Sequence, residues 1–275
     1  MTTTRRTAIL RAMSVCASLG PLGPVLSACG GGSGTDNGSI PGWAGQGTTT
    51  TQWMVARSNG TTYPVYIYTP PDSAKDRATM PVVYSLDGDI RFLSLATLVD
   101  TQQARVILVG IGNDAMRGRD YVPVNSCTPG GGGQAAYFDF IRLDVIPFVE
   151  STVGGDPAQR VLWGHSHGGT FVYYAMFAQA ASLHTFHAYL PADASIPCLP
   201  DTADAWESNY AAANTTFPAR VYVSYAANDN SSYVASIQSR HYGGLVLGSG
   251  FYNGGHVGMI PASFVDSLTF ALASH

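Results

Sequence analysis

The sequence predicts an α/β fold in which a mostly parallel sheet is covered by helices on both faces. From Gln52 onward, short apolar runs typical of buried strands alternate with longer segments in which apolar residues recur at helical spacing. Strands that alternate with helices pair in parallel. The 275 residues are 45% hydrophobic and only 12% charged. The chain can therefore bury a large core, and it does not have the composition of a disordered protein.

The elements follow in order from a hairpin near the start. Residues 53–57 and 63–69 are β-rich and flank Ser58-Asn59-Gly60, a sequence typical of antiparallel hairpin turns. Further strands are predicted at 81–86, 105–111, 160–163, 186–190, 220–225 and 244–251. Helices are predicted at 90–99, 134–153, 167–181, 203–213, 232–239 and 261–273, the second with a kink at Pro147. Because no internal repeat and no second boundary interrupts this pattern, residues 50–275 are predicted to form one domain.

The first 28 residues have the features of an export signal. A basic start with Arg5 and Arg6 precedes a moderately apolar stretch that is too short and too interrupted by proline to span a bilayer. The arginine pair partly matches a twin-arginine export motif. Leu26-Ser27-Ala28-Cys29 resembles a bacterial lipobox, which implies lipid attachment at Cys29; the alternative is an ordinary cleaved signal with a chance cysteine. Residues 29–49 are rich in glycine and serine and are predicted to be a flexible tether.

Charge and cysteine content indicate which partners and which cellular location are expected. Net charge is −4, and loss of the three arginines in the signal deepens it to −7, which argues against nucleic acid as a partner. Outside the cytoplasm, the remaining pair Cys127 and Cys198 is predicted to form a disulfide, with two buried free thiols as the alternative. We therefore expect a periplasmic or outer-envelope protein, monomeric, that touches the membrane only through a lipid on Cys29.

The strongest motif is Gly164-His165-Ser166-His167-Gly168-Gly169, which follows a predicted strand and opens a predicted helix. This is the G-x-S-x-G nucleophile elbow in its expected context, where a tight turn exposes the serine at a helix N-terminus. His165 and His167 have the spacing of a metal-binding pair. Neighbours on an elbow point in different directions, so ordinary packing is preferred, and no metal or other cofactor is expected.

A nucleophilic serine needs a base and an acid further along the chain. His256 is the best candidate for the base because it lies between the last strand and the last helix, whereas His241 and His275 are expected to be solvated. Asp229 is the candidate acid because it lies near the end of the strand at 220–225. The alternatives for that acid are a turn-capping role for Asp229, the weaker rivals Asp193 and Asp201, or a serine–histidine pair without a carboxylate.

The same chemistry needs two backbone N–H groups to stabilise the oxyanion. The amide of His167, directly after the nucleophile, is one candidate. The amide of Asp89, in the loop after the strand at 81–86, is the other. The neighbouring Asp87 is expected to shape that loop.

Several segments together resemble the esterase D-like family of α/β-hydrolases, which includes siderophore esterases, feruloyl-type esterases and mycolyltransferases. They are Asp87-Gly88-Asp89, Arg119-Asp120-Tyr121-x-Pro123, the glycine run before Tyr137-Phe138-x-Phe140, the elbow, and Gly255-His256. The resemblance covers residues 50–275 and implies an α/β-hydrolase fold. In this fold the sheet is mostly parallel and begins with an antiparallel N-terminal hairpin. It also implies catalytic roles for Ser166 and His256, and an oxyanion amide at Asp89 or its neighbour. The acid varies within the family.

These observations lead us to expect an exported serine hydrolase that cleaves carboxylic esters through an acyl-enzyme on Ser166. Its substrate would be a small-molecule, lipid or sugar ester bound near 112–133 and 192–210. Alternatives are an acyltransferase, a siderophore trilactone esterase and a non-catalytic surface lipoprotein. Siderophore esterases bind anionic substrates through basic residues, for which Arg91, Arg117 and Arg119 are the candidates here; a structural pair with Asp120 is the alternative for Arg119.

Overall fold

A computed structural model of the chain describes residues 35–36, 40–71, 74–113, 116–124 and 130–273. These residues belong to one unit, Ser33–His275. The predicted export signal and the lipobox cysteine Cys29 lie outside the described residues. Within the described ranges, the structure contains no helix with the length and apolar character needed to cross a membrane.

The centre of the domain is a sheet of nine strands in the described part of the chain, ordered β1-β2-β3-β5-β4-β6-β7-β8-β9. The strands are β1 (Thr35–Asp36), β2 (Thr48–Val55), β3 (Thr62–Thr69), β4 (Val82–Leu86), β5 (Ile107–Ile111), β6 (Arg160–His165), β7 (Ala188–Ala192), β8 (Arg220–Tyr225) and β9 (Val246–Phe251). β2 and β3 form an antiparallel hairpin, β3 pairs antiparallel with β5, and β4 to β9 are parallel. The predicted fold class is confirmed.

Helices cover both faces of this sheet. They are α1 (Ala74–Arg77), α2 (Gly88–Thr101), α3 (Arg117–Tyr121), α4 (Gln134–Phe140), α5 (Ile146–Thr152), α6 (His167–Phe177), α7 (Pro200–Ala213), α8 (Ser231–Ser239), α9 (Gly255–Gly258) and α10 (Ile260–Leu272). Phe92 of α2 and Phe264 of α10 belong to the core on one face, and helices α4 to α8 contribute to the core on the other. β4 and β5 are buried along their whole length, which explains their uninterrupted apolar sequences.

The predicted helix at 134–153 is divided where the kink was expected. A π-helical turn, Ile141–Val145, separates α4 from α5, and Pro147 follows directly. Because proline has no N–H, it cannot donate to the carbonyl four residues earlier, that of Leu143. Arg57 replaces the missing hydrogen bond, because its Nη2 donates to the Leu143 carbonyl. Its Nε pairs with Asp144.

The folded part begins earlier than the sequence predicts. Residues 40–49 were assigned to the flexible tether, yet Ile40 and Trp43 pack against the core. The carboxylate of Asp100 in α2 accepts hydrogen bonds from the amides of Gln46 and Gly47. These contacts fix the end of the predicted tether to the domain, so its boundary at residue 49 is wrong.

Three non-glycine residues with positive φ follow directly after neighbouring parallel strands. Asp87 (φ 56°) follows β4, Ser166 (φ 61°) follows β6 and Asp193 (φ 42°) follows β7. Because β4, β6 and β7 are adjacent and parallel, these residues share one edge of the sheet. Left-handed backbone at non-glycine residues costs about 1–3 kcal/mol and is concentrated at functional sites. This edge of the sheet is therefore the candidate position of the functional site.

Candidate active site

The turn between β6 and α6 presents Ser166, and its glycines are required by close contacts. A Cβ atom on Gly164 would lie 2.4 Å from the carbonyl oxygen of Gly168, and one on Gly169 would lie 2.9 Å from the carbonyl oxygen of Ala192. The Ser166 amide donates to the Ala192 carbonyl at 2.9 Å, which ties the elbow to β7. Only small residues permit this turn, as the elbow motif predicts.

His256 lies between Ser166 and a carboxylate. Its Nε2 is 3.0 Å from Ser166 Oγ, and its Nδ1 is 2.5 Å from Oδ2 of Asp193. The Asp193 side chain is fully buried, and its Oδ1 accepts hydrogen bonds from the amides of Ala226 (2.7 Å) and Asn228 (3.0 Å). The three side chains have the connectivity of a Ser-His-Asp triad.

The expectation that Asp229 orients His256 is wrong. Asp229 is exposed, and its Oδ1 accepts a hydrogen bond from the Ser231 amide at 2.9 Å. This hydrogen bonding to Ser231 lowers the pKa of the Asp229 carboxyl. Asp229 therefore has the turn-capping role, and the position beside His256 belongs to Asp193, which preserves the order serine, acid, histidine along the chain. The other rival, Asp201, is exposed in the first turn of α7.

His165 supports the opposite side of His256. It is buried, its Nε2 is 2.6 Å from the carbonyl oxygen of His256, and the two rings are 4.5 Å apart at their centroids. Burial lowers the pKa of His165 to about 4. The ring is therefore neutral at pH 7, and its Nε2–H donates to the His256 carbonyl.

Among the described residues, the group of side chains with the spacing of a metal site includes His165 but not His167. Nitrogen and oxygen atoms of His165, Asp193 and His256 do lie within 4.8 Å of one another. However, Nε2 of His165 is engaged by a backbone carbonyl and Nδ1 of His256 by Asp193. Burial lowers the pKa of His167, whose Nδ1 has no hydrogen-bond partner among the described residues.

Asp87 shapes the loop beside the elbow, as expected. Its buried carboxylate forms a bidentate ion pair with Arg117 (2.6 and 3.1 Å), and its amide donates to the hydroxyl of Tyr121 at 3.0 Å. A Cβ on Gly168 would lie 3.3 Å from Asp87 Oδ2. The start of α2 therefore lies directly against the start of α6.

The arginines that the family resemblance suggests for substrate binding differ in their partners. Arg119 pairs with the buried carboxylate of Asp120 (2.7 and 3.0 Å), which is the structural alternative, and Arg117 pairs with Asp87. Arg91, in the first turn of α2, is half-buried, and its Nε has no hydrogen-bond partner among the described residues.

The two oxyanion candidates lie at helix starts on the same edge. His167 is the first residue of α6, and Asp89 is the second residue of α2. These helices follow β6 and β4, which are neighbouring strands, so both N-termini direct partial positive charge at this edge. The use of the two amides as oxyanion donors stays a prediction.

Sequence reasoning missed Ser195 as a residue of this site. The Ser195 Oγ lies 3.4 Å from Ser166 Oγ. No sequence signal points to this contact, which depends on the register of β7 against β6.

Cys198 carries an exposed free thiol, and its expected partner Cys127 lies outside the described residues, so their pairing stays a prediction.

The fold and the triad geometry together define an α/β-hydrolase with a serine at its nucleophile elbow. The Esterase family model matches residues 56–224, more than half of the chain, and the chain belongs to this family. The Bacillus cereus BES protein has a similar structure: the TM-score is 0.71 at 20% identity, covering 82% of this chain and 96% of that one.

Two curated relatives are similar over part of their length. Ferri-bacillibactin esterase BesA of Bacillus subtilis (strain 168) is 28% identical over 184 residues, which cover 58% of this chain and 61% of the relative. Siderophore triacetylfusarinine C esterase of Aspergillus fumigatus is 28% identical over 160 residues, covering 51% of this chain and 54% of that protein. The chain thus matches a little more than half the length of each.

Proposed function

We propose that this protein is a serine hydrolase that cleaves carboxylic esters through an acyl-enzyme on Ser166. The observation that carries this proposal is the position of His256, whose Nε2 is 3.0 Å from Ser166 Oγ while its Nδ1 is held by Asp193 at 2.5 Å. Membership of the Esterase family supports the same activity.

Each side chain of the triad has a distinct role in the proposed reaction. His256 Nε2 takes the proton of Ser166 as Oγ attacks the ester carbonyl, and it then gives that proton to the departing alcohol. The buried carboxylate of Asp193 holds His256 in the tautomer with a proton on Nδ1 and stabilises the imidazolium. Water then attacks the acyl-enzyme by the same proton path in reverse. The amides of His167 and Asp89 would stabilise the oxyanion in both steps.

The first test is replacement of the nucleophile. Ser166→Ala is expected to abolish cleavage of short p-nitrophenyl esters and labelling by a fluorophosphonate, because both need the Oγ atom. Ser232→Ala, which changes an exposed serine in α8, is the matched control and should behave as the wild type. Ester cleavage retained in Ser166→Ala would contradict the assignment, and absence of wild-type labelling would favour a non-catalytic binding protein.

A more specific candidate substrate is a siderophore ester, and the position of Arg91 favours it. Burial is the main cause of the low pKa of His165, and the positive charge of Arg91 lowers it further, which places this guanidinium within electrostatic range of the site. The Arg91 Nε has no hydrogen-bond partner among the described residues, and a guanidinium within this range suits an anionic ester. One curated relative is named as a siderophore esterase and the other as a ferri-bacillibactin esterase.

This candidate predicts a specific change in KM. Arg91→Ala should raise KM for an iron-loaded siderophore ester by about ten- to a hundredfold and leave KM for neutral p-nitrophenyl acetate unchanged, because one charge-assisted contact is worth about 1.5–3 kcal/mol. Arg91→Lys keeps the charge and should recover part of the loss. An equal effect on both esters would contradict an anion-binding role for Arg91.

Hydrolysis and acyl transfer differ in the acceptor of the acyl group. With a sugar or lipid alcohol added to the assay, a hydrolase releases mainly the free acid, whereas a transferase releases mainly the new ester. Chromatographic measurement of the two products decides between them, and we expect the acid.

We also propose that the protein is exported and carries a lipid on Cys29. The support is the basic start of the chain followed by Leu26-Ser27-Ala28-Cys29. In a bacterial host, Cys29→Ser should shift the protein from the membrane fraction to the soluble periplasmic fraction without loss of esterase activity. An unchanged distribution would contradict lipid attachment.

A further inference from the structure

Ser195 is held against the nucleophile by backbone hydrogen bonds where the chain leaves β6 and β7. It lies two residues beyond Asp193 and is 7% exposed. Its amide donates to the Ser166 carbonyl at 3.3 Å, and the Ser166 amide donates to the Ala192 carbonyl at 2.9 Å. These two bonds fix the relative position of the serines, and their Oγ atoms are 3.4 Å apart.

The surrounding groups determine which serine donates. Oδ1 of Asp193 accepts two backbone N–H groups, so the carboxylate acts as an acceptor and Nδ1 of His256 carries the proton between them. When His256 acts as the base, Nε2 is then an acceptor, and the single hydroxyl hydrogen of Ser166 points to it. Consequently, Ser195 is the donor to Ser166 Oγ.

We propose that Ser195 is a catalytic residue that stabilises Ser166 Oγ as a leaving group during deacylation. This inference rests on the ester hydrolysis proposed above. In deacylation, water adds to the acyl carbon and passes a proton to His256 Nε2. The bond from the acyl carbon to Oγ then breaks, its electron pair stays on Oγ, and His256 returns the proton to Oγ. Ser195 keeps its own proton throughout and donates a hydrogen bond to Oγ.

The two half-reactions make different use of this hydrogen bond. In acylation, a donor to Ser166 Oγ makes the proton easier to remove but also weakens the attacking lone pair, and these effects oppose each other. In deacylation, Oγ gains negative charge as the acyl group leaves, so the donor only helps. Loss of the Ser195 hydroxyl should therefore slow deacylation more than acylation.

The test separates the two half-reactions in Ser195→Ala. Acylation is followed by the first-turnover release of p-nitrophenol from p-nitrophenyl acetate, and deacylation by the decay of the acetyl-enzyme in intact-protein mass spectrometry. We expect deacylation to slow about tenfold, the loss of roughly one hydrogen bond, with acylation changed less than about twofold. Ser195→Thr retains a hydroxyl and should restore deacylation, and Ser232→Ala serves as the control.

The outcomes also distinguish this inference from the proposed function. If Ser166 forms no acetyl-enzyme in the wild type, the hydrolase assignment itself fails. If the acetyl-enzyme forms but Ser195→Ala deacylates at the wild-type rate, or slows both half-reactions equally, only the role of Ser195 is overturned. A thermal melt matching the wild type ensures that a slow variant is folded.

Discussion

The loops that follow β7 and β8 each carry an aspartate near the strand end, but they hold it in opposite ways. Asp193, after β7, is fully buried with φ 42°, and each of its carboxylate oxygens has a partner outside its own loop. Asp229, after β8, is exposed and accepts a hydrogen bond from the amide of Ser231, two residues along.

The β8 loop supports the acid instead of supplying it. The amides of Ala226 and Asn228 donate to Asp193 Oδ1, and Nδ2 of Asn228 donates to the Asp193 carbonyl at 2.8 Å. An aspartate therefore becomes the partner of His256 when neighbouring segments fix both its carboxylate and its main chain. Proximity to a strand end is not sufficient.

The sharpest test of this comparison replaces each carboxylate by an amide. Asp193→Asn should lower kcat for p-nitrophenyl acetate by about 10³–10⁴-fold, because an amide that donates to Nδ1 stabilises the wrong tautomer of the histidine. Asp229→Asn keeps an acceptor oxygen for Ser231 and should remain within about twofold of the wild type. Equal losses in the two variants, or a larger loss in Asp229→Asn, would reverse the assignment.

A smaller effect is expected when the support is removed and the acid is kept. Asn228→Ala loses the side-chain bond to the Asp193 carbonyl but retains the amide bond to Oδ1, so kcat should fall about three- to tenfold with KM unchanged. The neighbouring Asp229→Ala is the matched control, with kcat at the wild-type value. An effect confined to KM would show that the β8 loop contacts substrate instead.

The remaining expected effect concerns the free energy of unfolding instead of kcat, and it comes from His165 on the other side of His256. Burial lowers the pKa of His165 to about 4 in the folded protein, against 6.5 ordinarily. Between these values the unfolded chain binds a proton that the folded chain does not, so the free energy of unfolding decreases as pH falls from about 6.5 to 4, by up to about 3 kcal/mol.

This pH dependence can be assigned by substitution. Urea unfolding of His165→Gln, which retains a side-chain donor, should depend less steeply on pH than unfolding of the wild type between pH 4.5 and 6.5 (a range bounded by the two pKa values above). Burial also lowers the pKa of His184 to about 4, so His184→Gln should flatten the same range while leaving ester cleavage intact. An unchanged slope in His165→Gln would mean that this ring does not titrate in that range.

The elements that sequence predicts well are those fixed by local contacts. Gly164 is required by the backbone of Gly168 within the same turn, so the motif alone predicts the elbow. Arg119 and Asp120 are adjacent in sequence, and their pairing could be anticipated. The interruption before Pro147 follows from the missing N–H of proline.

The features that sequence reasoning missed depend on contacts between distant segments. The strand predicted at 186–190 ends two residues before the observed end of β7, so Asp193 does not stand out as the residue after a strand. Its role also depends on amides about 35 residues further along the chain. The contact of Ser195 with Ser166 requires the register of β6 against β7, which a single sequence does not determine.

The backbone of Ser166 has φ 61° and ψ −122°, so this residue lowers the stability of the fold while it supplies the nucleophile. Glycine adopts positive φ without steric cost, whereas a non-glycine residue there costs about 1–3 kcal/mol. Ser166→Gly should therefore melt at a higher temperature than Ser166→Ala. Selection for thermal stability alone would favour glycine at position 166. Serine is retained there only while selection for catalytic activity continues.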